Sequence, residues 1–220
     1  MEWRLWLSWA GPILELAVLI ALFARGRARR VWLLPVLMVA LLASDGSAAL
    51  FAWANTWTFW FAKELVHAVL FLGLGIEVTL RTLAPLPGAW RSLRAWLCVV
   101  MVASIVLAST LPLGTRALVG VPRLLMAVAL LYGGVYGILV WHMAPVDPLH
   151  KAVLLGFAPY LLFSAVSWGR VESRWEHALA NVANPILFVL VLAALVAAAW
   201  GNEPAPHARP TLVKRLWPWR

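Results

Sequence analysis

Asp45, Lys63, Glu64 and His67 stand inside runs that are otherwise almost wholly apolar. Two carboxylates, an ammonium and an imidazole can neutralise one another, hold a polar ligand or pass a proton. Lys63 and His67 are four residues apart and share a helical face. In a hairpin turning near Asn55 and Thr56, Asp45 falls opposite residue 66, so a contact of Asp45 with His67 or Lys63 is expected. Trp60, Glu64, His67, Phe71 and Leu74 recur at three- and four-residue spacing. That stripe is expected to face other helices. Two readings stay open at this point. The four groups either fix helix packing by mutual neutralisation, or they line a cavity for a ligand or a proton.

Further ionisable and amide groups sit in apolar surroundings, each a ligand or proton-relay candidate. Glu15 falls near the middle of the first apolar run, while Arg123 and Asn184 fall about one turn inside theirs. Depth follows from the helical rise of about 1.5 Å per residue, which puts Asp45 and His67 each roughly 15 Å from the near end of its run. Glu64 and His67 form one Glu-x-x-His pair, whereas di-iron bundles need two such pairs and two more Glu. Cys98 is the single cysteine, which removes disulfide and CxxC chemistry. No metal and no cofactor is therefore expected. HExxH, GxSxG and P-loop patterns are absent from the sequence, so a non-enzymatic protein is expected.

Weaker features complete the inventory. Glu77 and Arg81 are spaced for an i,i+4 pair. Gly133 and Gly137 form GxxxG, and Gly73 and Gly75 thin another helix; both suggest close helix approach, within the bundle rather than between copies. Tyr132, Tyr136 and Tyr160 suit a cavity wall or an internal hydrogen bond. His142, Asp147 and His150 read as a solvated loop.

The elements that position these groups follow from composition. The chain has 220 residues, 64% hydrophobic and only 12% charged, with a mean hydropathy of +0.87. A soluble domain is nearer half apolar and a quarter charged. Seven apolar runs appear, at 5–24, 31–54, 57–79, 95–113, 118–141, 151–168 and 180–200. Each is close to the ~20 residues that cross a ~30 Å hydrocarbon layer. Helices satisfy their own backbone there, so the expected fold is all-α, a bundle of seven transmembrane helices over 1–200. A basic tail containing Pro and Trp follows at 201–220.

Charge and tryptophan give the orientation. Arg25, Arg27, Arg29 and Arg30 follow the first run, which suits an uncleaved span better than a signal peptide. With Arg81, Arg91, Arg94, Lys151 and the four basic residues of the tail they put twelve cations on one side. Five arginines fall on the other. The positive-inside rule then places the N-terminus outside and the C-terminus in the cytoplasm. The fifteen tryptophans sort to the two boundaries, as an aromatic belt requires. A net charge of +9 with this placement argues for anionic lipid headgroups at the cytoplasmic face, and against nucleic acid. The tail LVKRLWPWR reads as an interfacial anchor, and about twenty residues are too few for a kinase or cyclase domain.

Seven helices alone do not name an activity. A retinal protein needs a Schiff-base lysine in its last helix, and 180–200 holds none. Asn184-Pro185-Ile186-Leu187-Phe188 looks like the NPxxY run of G-protein-coupled receptors, but it falls at the opposite end of its helix. KELVHAVLFLGLGIEVTLRTLAPLPGAWRSL at 63–93 and LYGGVYGILVWHMAPVDPLHKAVLLGFAPYLLFS at 131–164 resemble an uncharacterised group of bacterial seven-helix inner-membrane proteins. In that group a Glu near the start of the third helix and another near its end recur, matching Glu64 and Glu77. Lys63 and His67 depart from the group's pattern. The resemblance implies a multi-pass protein of the bacterial inner membrane and no activity. The expected role is a sensor-like or accessory subunit that works with a membrane partner. A small-solute or proton-coupled transporter is the second expectation, and a structural or assembly subunit of a larger membrane complex the third.

Overall fold

The computed structural model describes residues 2–83, 95, 98–99, 102, 106, 120–141, 146–170 and 174–201. Among the described residues there are six long helices and no strand. They are α1 (Glu2–Ala24), α2 (Leu33–Leu50), α3 (Trp57–Leu83), α4 (Gly120–Trp141), α5 (Pro148–Arg170) and α6 (Arg174–Trp200). Short 3-10 turns at Arg27–Arg30 and Ala52–Asn55 follow α1 and α2. The expected run at 95–113 and the tail lie outside the described residues, apart from scattered positions.

Five helices are long and apolar enough to cross a membrane, over Leu33–Leu50, Trp57–Thr82, Val121–Val140, Pro148–Ser167 and Asn181–Trp200. The apolar part of α1, Trp9–Ala24, is shorter. The chain is thus all-helical, with the composition of a multi-pass membrane protein. Its outer surface agrees. On α1 the buried positions Glu15, Val18 and Leu22 alternate with exposed Ile13, Leu16, Ile20 and Phe23. A soluble helix would put polar residues on that outward face.

Local chemistry sets the helix ends. Gly26 takes a left-handed φ of 63° just past α1, the conformation in which glycine most cheaply ends a helix. Asp147 caps α5: its Oδ1 accepts from the Leu149 N–H at 2.8 Å, and Pro148 fills the first helical position, where no N–H is needed. The α2 N-terminus has no cap of its own. Glu77 of α3 supplies one, its carboxylate accepting from the Trp32 and Leu33 N–H groups at 2.7 and 2.8 Å. The expected Glu77–Arg81 pair forms at 2.8 Å. Buried Arg27 donates to the Ala198 and Gly201 carbonyls, closing the end of α6.

These bonds also fix topology. Arg27, Trp32, Glu77, Asp147 and Ala198 meet at one end of the bundle, here the Arg27 end. The α2–α3 turn marks the other, the Thr56 end. Consecutive helices pack on one another and α6 returns to α1, so the six close a ring. α1 and α6 run parallel, as do α3 and α4.

Two expectations differ from the described structure. Among the described residues Gly133 and Gly137 make no close helix approach: both are exposed, and a Cβ on either meets no described atom within 4 Å. The approach is made by the α3 glycines instead. A Cβ on Gly75 would collide with the Tyr132 ring, and one on Gly73 would touch Leu33 Cδ1 at 3.0 Å. The two α3 glycines face neighbours, whereas no described atom lies against Gly133 or Gly137. Nor is 147–150 a solvated loop. His150 is buried in the first turn of α5, with Nδ1 3.1 Å from Thr82 Oγ1, and Asp147 pairs with Arg30 at 3.3 Å. Asp147–Pro148 starts the helix earlier than the apolar run does. His142 lies outside the described residues.

Candidate functional site

A cavity of about 320 Å³ opens inside the half of the ring nearer the Thr56 end. All six helices contribute to its wall. The charged side consists of Asp45 from α2 with Lys63, Glu64 and His67 from α3. Facing it are Tyr160 and Ser164 from α5 and Asn184 from α6. The sequence-based stripe on α3 is therefore correctly placed: Trp60 and Glu64 are half-buried, and His67, Phe71 and Leu74 are buried.

The contacts within the cluster differ from those expected. No hydrogen bond or ion pair joins Asp45 to His67 or Lys63 among the described residues. His67 Nε2 lies 3.3 Å from Ser44 Oγ, one residue before Asp45. Ser44 donates its only hydroxyl hydrogen to the Leu41 carbonyl at 2.8 Å. The His67 Nε2–H is then the donor to Ser44, and the ring also meets the backbone of Ala40. Lys63 Nζ pairs with its neighbour Glu64 at 3.7 Å. The hairpin register is right to within one residue. A helix turns about 100° per residue, so that single step gives the contact to the serine and leaves Asp45 free in the cavity wall.

Asn184 also arrives at the site. Its Oδ1 accepts from Ser164 Oγ at 2.8 Å, tying α6 to α5. Pro185 lines the cavity beside it, so the Asn-Pro pair that looks like a receptor motif forms part of this wall. Glu15 and Arg123 do not line it. Glu15 is fully buried, one turn along α1 from the lining residues Gly11 and Pro12. Both of its carboxylate oxygens lack a hydrogen-bond partner. Arg123 lies in the first turn of α4, with its Nε buried and unpartnered.

Sequence reasoning left Tyr160 open between two roles and passed over Ser44, Ser164 and Phe188. Tyr160 belongs to the cavity; Tyr132 serves packing, donating its hydroxyl to the Phe71 carbonyl at 2.6 Å. The Tyr160 hydroxyl has Ser164 beside it and stands within electrostatic range of Glu15, Asp45 and Glu64. Its ring belongs to an aromatic wall. The Tyr160 centroid is 5.2 Å from Phe188 and 6.4 Å from Phe71, and Phe71 meets Phe157 edge-on at 5.0 Å. The four-residue spacing of Tyr160 and Ser164 within an apolar helix was the available signal.

A second hollow, about 490 Å³, lies between the end of α2 and the start of α3. Thr56, Trp57, Phe59 and Trp60 line it, and Lys63 lines both spaces. Lys63 therefore stands at the junction between the helix ends and the inner cavity. No group of three or more His, Cys, Asp or Glu among the described residues is arranged to hold a metal ion.

No family model matches the chain, and no curated protein or solved structure matches it either.

Proposed function

We propose that this chain is a non-enzymatic, solute-binding protein of the bacterial inner membrane, acting as a sensor-like or accessory subunit with a membrane partner. The observation that carries the reading is the cavity, where ionisable groups from α2 and α3 face Tyr160, Ser164 and Asn184 across about 320 Å³. A scaffold has no use for such a hollow; its polar groups would be closed against each other in a dry interior. Here Asp45 stays unpaired, and several independent helices are needed to build the wall.

The membrane arrangement is part of the proposal: seven spans, the N-terminus outside and the C-terminus in the cytoplasm. α3 finishes at the Arg27 end and α4 begins at the Thr56 end, which supports a further span between them. The apolar run 95–113 suits that crossing. The Arg27 end carries the arginine-rich turn, whose cations favour the cytoplasmic leaflet and its anionic headgroups. The cavity then faces the outer half.

A transporter is the second reading, and one observation favours it. Pro12, Pro159 and Pro185 lie inside α1, α5 and α6, and each lies in or next to the cavity wall. Proline removes a helical hydrogen bond where it stands and leaves a backbone carbonyl available to a solute or ion.

Gentle purification from the source membrane, followed by mass spectrometry of what stays attached, tests the first reading. A stoichiometric membrane partner supports it. A lone chain that moves solute in proteoliposomes, and loses uptake on Asp45→Asn or Glu64→Gln, replaces it with the second. A lone chain with neither bound solute nor uptake removes both.

A further inference from the structure

We propose that the cavity takes a small organic cation: an amine whose ammonium group pairs with Asp45 and whose apolar body lies against Phe71, Tyr160 and Phe188. This rests on the solute-binding reading and names the class of solute.

The first argument is charge. The wall holds two carboxylates, Asp45 and Glu64, against one ammonium, Lys63. Lys63 and Glu64 pair with each other at 3.7 Å. Asp45 makes no ion pair or hydrogen bond to any described residue, and Lys63 acts on it only through space. Behind the wall Glu15 is fully buried, again without a partner, and within electrostatic range of Asp45. The Asp45 carboxylate, in low-dielectric surroundings, focuses a negative potential on the cavity; Glu15, buried without a partner, adds to that potential only when ionised.

A second, independent argument comes from hydrogen-bonding capacity. Among the described residues both Asp45 oxygens and one Glu64 oxygen are free acceptors. Pro12 and Pro185 withhold the N–H groups that would normally bond the carbonyls of Ser8 and Asn181. An acceptor-rich site wants a donor, and an ammonium brings three. The remaining wall is aromatic. The Tyr160 and Phe188 rings, 5.2 Å apart and tilted by 38°, offer faces that attract a cation as well as an apolar body. A volume near 320 Å³ lies at the small end of ligand pockets, which run from roughly 300 to 1,000 Å³.

The test holds size constant and varies charge. Phenethylamine, phenethyl alcohol and 3-phenylpropionate are titrated into the purified full-length chain in phosphatidylglycerol nanodiscs, with binding read by calorimetry. The expected result is at least about tenfold tighter binding of the amine than of the alcohol, with the carboxylate weakest. Asp45→Asn then weakens the amine about tenfold and leaves the alcohol unchanged, while Lys63→Gln tightens the amine. The ligand series on the parent chain needs no variant to fold. Equal or tighter binding of the carboxylate, or an amine affinity indifferent to Asp45→Asn, overturns the cation proposal but leaves a solute site standing. Failure of all three probes, with no solute retained on native purification, overturns both readings.

Discussion

The ring of Tyr132 occupies the space that a side chain at Gly75 would need, and its hydroxyl reaches past that glycine to the Phe71 carbonyl at 2.6 Å. This contact joins α3 to α4 one turn below the cavity floor. A methyl at position 75 has to displace a fully buried ring that is held by its own hydrogen bond. Overpacking of this kind costs about 1–3 kcal/mol. Gly75→Ala should therefore lower the melting temperature by several degrees, whereas Gly133→Ala should change it little, since no described atom lies against that position. Thermal unfolding of both variants in the same detergent checks the contrast. Equal melting points would place the close approach elsewhere.

Glu77 gives a second prediction, because three donors converge on one carboxylate. It accepts from Trp32 and Leu33 at the bare start of α2 and from Arg81 one turn along α3. Removing it leaves two N–H groups without partners, one of them half-buried, at about 1–3 kcal/mol for an unsatisfied group. Glu77→Ala should loosen the start of α2, seen as faster amide exchange at Leu33. Glu77→Gln keeps an acceptor and should retain most of the protection. Protection unchanged in both variants would mean that α2 begins without help from α3.

Much of this architecture can be read along the chain, and the limits have physical causes. The five helices able to span a membrane follow from run length and hydropathy alone, and their ends fall within a few residues of the apolar runs. The α3 stripe is legible because its spacing of three and four is local. Partners between helices are not local. Asp45 against His67 fails by one residue because a hairpin fixes register only to about a turn, and side chains one apart point about 100° apart. The caps supplied by Glu77 and Arg27 join residues 44 or more apart in sequence, and no motif announces them. Gly133 and Gly137 have no described neighbour, and spacing identifies a small-residue face without saying what lies opposite.

Arg27 offers a third prediction at the Arg27 end. Its guanidinium is almost fully buried, and it satisfies two carbonyls at the close of α6 while Arg25 reaches the Trp200 carbonyl at 3.2 Å. A lysine retains charge but lacks the planar fork that serves two acceptors at once. Arg27→Lys should lose roughly half of the protection against amide exchange over the last turn of α6, and Arg27→Ala nearly all. Arg25→Ala should have a smaller effect, because that side chain is exposed. Indifference of α6 to all three changes would assign Arg27 to lipid contact alone.

Glu15 supplies the sharpest separation between stability and function. Its two buried oxygens find no partner, so the side chain destabilises the bundle by about the cost of an unsatisfied polar group, 1–3 kcal/mol. Glu15→Leu fills a similar volume without polar atoms and should raise the melting temperature by roughly 2 °C or more. Above the pH at which this buried group ionises, the same change also removes a negative charge within electrostatic range of Asp45, and so should weaken phenethylamine binding several-fold there. Phenethyl alcohol, which has no charge to sense that field, should bind as before. A residue retained at a cost in stability that also tunes cation affinity belongs to the site, even though it does not touch the cavity. A variant that is more stable and binds the amine unchanged would make Glu15 a packing defect with no part in binding, and a variant that is less stable would show that Glu15 finds a partner in the membrane after all.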